Sequence, residues 1–415
     1  MQTASDPSPA PLPVAAQPPS VTTEGRKRAY IVSVVSASHV LTHIQLGASG
    51  ILLPLMMREL GFDVFQLGLL SSFSQLAGSA MQVIYGLIAQ YYRRSVLLGV
   101  GNIVLGVCLS AVALSQSFLH VLALRAAASL GSSAQHPLGA AILAINFPRS
   151  KGQMLAIHHA VANVGSLVAP LLVVALLGFL DWRPIWVVVG VPMVLIGFAY
   201  FFFGDATSGP GGSTKARTKV AFGNYLACLR NRDVMVVSAI QMVGAAGRGS
   251  DINTAFLVLF FGEWLGVDIT VAGILLAILQ LGSVGGPVAI GWLSDRTSRR
   301  LAIFAVLLLS TVSTIALLLH SQVSAVLVLN LLVYGAVVNS RESLTQSMIS
   351  DAVSAVHADA AFSLYYFIGF ISGPIWTALT GYLVYTAGFA WAFVVVGLTY
   401  LNGIALIGLL SPKPK

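Results

Sequence analysis

His39 and His43 stand four residues apart in a long apolar run, so on a helix they share one face. Counting about 1.5 Å per residue from residue 30 places them roughly 14 to 20 Å along, near the middle of a membrane-crossing segment. An imidazole pair there suits proton transfer near physiological pH. Alternatively, the two rings are polar packing residues hydrogen-bonded across helices. His136 precedes Pro137 and either joins the pair or caps a bend, while His158 and His159 open a later run and read as interfacial. Charges inside apolar runs are costly in lipid and mark pathways or partners. Arg125 lies a few residues from the end of its run, where facing a partner and snorkelling to the interface are equally open. Arg248 and Asp251, three apart, can pair on one face, as neutral glue or as a pair that splits when substrate or a proton arrives. Arg341 and Glu342 sit late in another run on different faces, and Asp351 at its end belongs with a loop network.

The elements that must position these groups follow from composition. Of 415 residues, 57% are hydrophobic and 9% charged, with mean hydropathy +0.87. A soluble domain is about 25% charged, so this chain has too little polar surface for water. Its apolar runs are long and continuous, unlike the alternating segments of about 10 residues that build a membrane barrel. The expectation is an all-α membrane protein with twelve transmembrane helices. Spans fall at 30–57, 65–90, 96–115, 119–147, 154–180 and 184–204, then at 233–262, 269–293, 300–320, 322–349, 360–386 and 388–411. The domains are a disordered cytoplasmic tail (1–28), a six-helix bundle (29–204), a polar cytoplasmic linker (205–232), a second six-helix bundle (233–411) and a short tail (412–415). The first 25 residues lack the basic start and short apolar core of a signal peptide.

Basic residues give the orientation. With the tails inside, seventeen Lys and Arg fall on the cytoplasmic side, and only Arg58 and Arg183 lie outside. That bias places both termini in the cytoplasm of a cell whose inner membrane the protein crosses. The net charge of +8 is therefore topogenic and implies no nucleic-acid partner. Cys108 and Cys228 have neither metal-site nor disulfide spacing. Metal-protease, nucleophile-elbow and phosphate-loop motifs are absent from the sequence, so no enzyme, cofactor, metal site or ATP-driven pump is expected.

The two sets of spans repeat. Residues 66–94 lie over 271–299 at a constant offset of 205, matching Gly68, Gln75, Gly86 and Arg94 to Gly273, Gln280, Gly291 and Arg299. Gly165 to Pro170 (GSLVAP) matches Gly369 to Pro374 (GFISGP) at an offset of 204. Two six-helix halves in parallel orientation suit rocking about a midplane site.

GWLSDRTSRR at 291–300 resembles the loop signature of the major facilitator superfamily. Gly291 would let helices approach closely, and Asp295 would pair with Arg296, Arg299 or a helix end. With Arg300, Arg341, Glu342 and Asp351 they form an expected cytoplasmic gate. The first-half copy carries Gln90 where the acid belongs. LRAAASLGSS, with Arg125 and Gly131, resembles the superfamily's second signature. Gly165 and Pro170, with Gly369, Gly373 and Pro374, resemble the helix-bending Gly–Pro element of antiporters, with Ala169 in place of one glycine. SHVLTH at 38–43, GSSAQHP at 131–137 and NVGSLVAP at 163–170 resemble fosmidomycin-resistance-type efflux pumps, except that His43 stands where an Asp often follows.

These resemblances imply a secondary transporter working by alternating access, exporting a small organic solute against proton entry, as a monomer in the lipid bilayer. Uptake of a small organic anion, suggested by Arg125, Arg248 and Arg341, and a non-transporting receptor-like relic are the alternatives. The expected substrate and proton cavity comprises His39, His43, Arg125, His136, Arg248 and Asp251. Gating charge then lies in the second half and proton chemistry in the first.

Overall fold

The computed structural model describes residues 21–89, 91–147, 150–203, 222–247, 251–354 and 357–411. Gln90, Arg248, residues 1–20, most of the linker (204–221), the last four residues and the side chain of His159 lie outside the described residues.

The first half runs through α1 (Val21–Leu60), α2 (Val64–Ile88), α3 (Arg94–Val112), α4 (Phe118–Ser132), α5 (Ala140–Asn146), α6 (Lys151–Leu177) and α7 (Trp182–Ala199). A short α8 (Phe222–Arg230) leads into α9 (Arg232–Val243), α10 (Ala255–Trp264), α11 (Ile269–Arg296), α12 (Arg299–Ala316), α13 (Ala325–Ala352) and α14 (Ala358–Ile407). No strand occurs among the described residues. Among the described residues, eight helices are long and apolar enough to cross a membrane. The last, α14, turns at Gly388 (φ 80°) and so carries spans eleven and twelve.

Two expected helices are broken. Span four splits into α4 and α5, joined by a π turn at Gln135–Gly139, because Pro137 has no N–H to donate in the α pattern. Span seven breaks between α9 and α10. Spans eleven and twelve meet at the non-helical Gly388, where the expected bounds of 386 and 388 put the turn.

The repeat is written into the turns as well as the helices. Gly61 (φ 68°) and Gly266 (φ 67°) each end a span in the left-handed region that glycine tolerates. Two residues on, Asp63 and Asp268 cap the next helix, accepting from the backbone N–H of Gln66 (2.7 Å) and Val271 (2.9 Å). Both pairs obey the offset of 205 found in the helices.

Within the halves, α1 packs on α6 and α3 on α7, while α11 packs on α13 and α9 on α14. Small residues set these distances, as membranes favour. A Cβ at Gly106 would lie 2.5 Å from the carbonyl of Gly190, and one at Gly99 2.8 Å from that of Gly197. The halves meet where α2 crosses α14 and α11 crosses α6. At the first crossing, a Cβ on Gly68 would lie 3.0 Å from the Cα of Gly381; at the second, Gly273 packs on Val174 and Ile51. Gly68 and Gly273 are repeat-related, so one design serves twice. Both crossings lie toward the face opposite the chain ends. Toward the terminal face, α2 exposes Val83, Ile84 and Leu87, and α11 exposes Val288, Trp292 and Leu293.

Candidate functional site

One face of α1 buries Ser38, His39, Thr42, Gln45 and Ser49 at helical spacing, an unusually polar stripe for a membrane core. His39 lies 5.0 Å from His43 and 5.1 Å from His136 between ring centroids, and His43 lies 6.2 Å from His136. The π turn carries His136, which is exposed. His158 of α6 stacks on His39 at 3.9 Å and is 1% exposed, so it is a fourth member of the cluster and not an interfacial residue. His158, Ala162, Gly165 and Ala169 recur at spacings of four, three and four, and all are buried. That stripe faces α1: a Cβ at Gly165 would lie 2.5 Å from the carbonyl of Val40. Ala169 fits because it faces Gly47, so the departure from the Gly–Pro pattern is matched by a glycine across the interface.

Hydrogen bonds orient the rings. His39 Nδ1 lies 2.8 Å from the carbonyl oxygen of His158. A carbonyl only accepts, so Nδ1 carries the proton and the neutral ring's lone pair sits on Nε2. His43 Nδ1 lies 2.9 Å from the Ser166 hydroxyl. Beside them, Ser38 donates to Gln135 (2.7 Å) and accepts from Tyr200 (2.6 Å), while Gln135 donates to the Val35 carbonyl (3.2 Å). Sequence reading passed over Gln135 and Tyr200, since a lone amide and phenol in apolar runs carry little signal.

Two turns of α1 beyond His39, Gln45 accepts from Arg125 Nη1 at 3.2 Å. Arg125 is 6% exposed and stands 5.5 Å from the Trp186 ring, so it faces protein and does not snorkel. Among the described residues its buried Nε has no hydrogen-bond partner. The opposing charge that reaches it is Asp251 of the second half, also 6% exposed, whose carboxylate accepts from the Thr254 hydroxyl at 3.1 Å.

Asp251 sits in the break of span seven. The continuous helix expected over 233–262 ends at Val243, where Gly244 takes an extended backbone, and restarts at Ala255. The freed backbone groups find side-chain partners, which such a break in a membrane demands. Arg341 donates to the Gly244 carbonyl (3.0 Å), Asn253 to the Ala246 carbonyl (2.6 Å), and the Ala245 N–H to Thr399 (3.1 Å). Tyr334 in turn donates to Asn253 (2.7 Å). The Arg341 guanidinium fills the space that side chains at Gly244 and Gly247 would need. It is 1% exposed and sits at the negative end of α9, so it stands at the break and not with the loop charges. Glu342, partly buried, accepts from Gln346 at 3.1 Å.

The loop after α11 holds the remaining charges. Asp295 pairs with Arg299 (3.3 Å), which also pairs with Asp351 (2.6 Å), joining α11, α12 and α13. Arg296 lies 3.7 Å over the Trp292 ring, and Arg300 donates to the Ser411 carbonyl. These pairs tie elements of the second half to one another. The expected close approach at Gly291 is not found: a Cβ there would meet nothing within 4 Å. Gly291 therefore faces away from α12 and α13, which this end of α11 meets through Asp295 and the buried Ser294.

Gly369 and Gly373 accept from Ser372 and Thr377 at 2.8 and 2.9 Å, and Gln75 of α2 reaches Thr377 at 3.4 Å. Pro170 and Pro374 lie inside α6 and α14. On the far face, Glu59 accepts from Trp182 and pairs with Arg183 (2.9 Å), which also donates to the carbonyls of Ala113 and Ser115.

The comparisons agree with this architecture. The family profile described as Major Facilitator Superfamily matches residues 35–261 and 237–415. An uncharacterized MFS-type transporter, YdeG of Bacillus subtilis (strain 168), is 26% identical over 194 residues. That match covers 45% of this chain and 44% of YdeG, so the chain spans less than half the length of that relative. A probable L-galactonate transporter of Escherichia coli (strain K12) is 21% identical over 372 residues, 82% of this chain and 79% of its own. The crystal structure of the nucleoside transporter NupG superposes with a TM-score of 0.76 at 15% identity, over 93% of this chain and all of that one. At that identity the likeness establishes the fold. A two-fold match to one family, repeated helices and turns, and a multi-pass apolar body lead to one assignment: this chain belongs to the major facilitator superfamily.

Proposed function

We propose that the chain is a proton-coupled secondary transporter of a small organic solute bearing an acidic group, working by alternating access. The observation that carries this reading is Arg125. It is buried, its hydrogen bond goes to a neutral amide, and its Nε has no partner among the described residues. A buried guanidinium is a ready bidentate receptor for a carboxylate or sulfonate. An arriving anion would compete with Asp251 for that charge, and Asp251 belongs to the opposite half. Cargo binding is thereby linked to the contact between the halves, as alternating access requires. The similarity to a probable L-galactonate transporter, named for a sugar acid, supports the same class. The histidine cluster, within two α1 turns of Gln45, supplies imidazoles, whose ring nitrogens can both accept and donate a proton.

By the distribution of basic residues, both termini face the cytoplasm of an inner membrane. The described contacts between halves lie on the opposite face, which fits a state open toward the cytoplasm. Export is the direction suggested by the resemblance to fosmidomycin-resistance-type pumps; uptake is the direction suggested by a receptor for an organic acid. Reconstituted vesicles decide both points. Flux of labelled aldonates and short sulfonates should follow an imposed pH gradient, and its sign relative to that gradient separates antiport from symport. Arg125→Gln should remove the flux of anions. Undiminished anion flux in that variant, or equal flux with and without the gradient, would sink the proposal.

A further inference from the structure

We infer that His39, His43 and His136 form a binding site for a transition-metal dication of the Zn2+, Co2+ and Ni2+ class. The inference goes beyond the proposed cargo and coupling and does not depend on them. One ring nitrogen from each of the three residues lies within 4.8 Å of the others. Ligands around an ion at about 2.0–2.1 Å are themselves about 3 Å apart, so rotamer adjustments of about an ångström close the site. His39 and His43 have the four-residue spacing by which one helix face grips a metal with two imidazoles. The third comes from the π turn, an element whose extra residue re-aims side chains at functional sites.

Ring orientation supports the same assignment. A metal-binding histidine typically gives its other N–H to a carbonyl or hydroxyl, which fixes the tautomer and aims the lone pair. His39 does so through Nδ1 to the carbonyl of His158, and His43 Nδ1 lies within hydrogen-bond distance of the Ser166 hydroxyl. His39 thereby holds its Nε2 lone pair for the cluster, and His43 does the same in the tautomer that donates Nδ1–H to Ser166. His158, stacked on His39, lines the site as a fourth imidazole. An all-imidazole set selects borderline transition metals over Mg2+ or Ca2+, which need oxygen ligands. Burial is graded across the triad, from His39 (buried) through His43 (intermediate) to His136 (exposed). An ion can therefore enter from the exposed side and keep an open coordination position there. All three ligands belong to the first half, so a bound ion would not tie the two halves together.

The test is a titration of the untagged, detergent-solubilised protein with Co2+, followed by visible d–d absorption. One Co2+ per chain is expected, displaced by one equivalent of Zn2+ and unaffected by excess Mg2+. His43→Gln and the exposed His136→Gln should each abolish the band. Ser166→Ala should weaken binding about tenfold, as loss of an outer-shell partner does, with the melting temperature of each variant as a folding control. Absence of a Co2+ band in the wild type, or unchanged stoichiometry and affinity in folded His136→Gln, would overturn the inference. No transport is measured, so this result stands apart from that of the flux assay.

Discussion

Replacing Arg125 by Gln tests whether a charge in one half answers a charge in the other. Arg125 and Asp251 are each 6% exposed, on α4 and in the break after α9, and the carboxylate's field acts on the guanidinium. With an effective dielectric of about 20, two unit charges beyond ion-pair contact, about 8–16 Å apart, attract by about 1–2 kcal/mol. Arg125→Gln also removes the cation stacked near Trp186 and deprives the buried Asp251 carboxylate of that positive field, so a total loss of about 3 kcal/mol is expected. Asp251→Asn alone should cost less, because the amide still accepts from Thr254. The double variant should recover about 1–2 kcal/mol relative to the sum of the singles, since neither buried charge remains. Thermal melts in detergent, read by tryptophan fluorescence, give the four corners of the cycle. The double variant should still fail to carry anions, separating stability from recognition. Strict additivity would refute the argument, because it would mean that the two charges do not sense each other across the halves.

Gly335→Leu should destabilise by about 1–3 kcal/mol in the same melts, since a Cβ there would overlap the carbonyl of Leu279 and force α11 and α13 apart. Arg341→Ala should destabilise the protein by about 2–4 kcal/mol, because it uncaps the Gly244 carbonyl inside the membrane; Arg341→Lys should recover only part, lacking the planar fork. Asp295→Asn should change stability by less than about 1 kcal/mol, given the exposure of its pair with Arg299. If its role is to hold one conformation, transport rate will change while the melt does not.

Span number, the two-fold repeat and the buried charges were legible because lipid imposes length and apolarity on every crossing. The break of span seven was not, because hydropathy registers that a segment is apolar and not whether its backbone is helical. Gly244, Gly247 and the distant Arg341 specify the break together, and their meeting is a tertiary fact. The π turn is a similar case: Pro137 announces a disturbance but not its form. His158 was misplaced by position near the end of its run. The stripe His158, Ala162, Gly165, Ala169 carried the correct signal, since a histidine in register with glycine and alanine lies on the packed face. The loop signature pointed to the family and offered Arg299 as a partner of Asp295, but that Asp351 closes on the same arginine is a tertiary fact.

The glycine contact between α2 and α14 has a mechanical consequence. Gly68 lies four residues from the start of α2 and twenty from its end at Ile88, giving arms of about 6 Å and 30 Å. A rigid helix tilting about that point multiplies displacement roughly fivefold from the short arm to the long one. Gly273 divides α11 in much the same way, four residues from Ile269 and twenty-three from Arg296. Slippage of about an ångström at the far loops therefore opens or shuts about 5 Å at the other face. With no side chain at the fulcrum, little resists the roll.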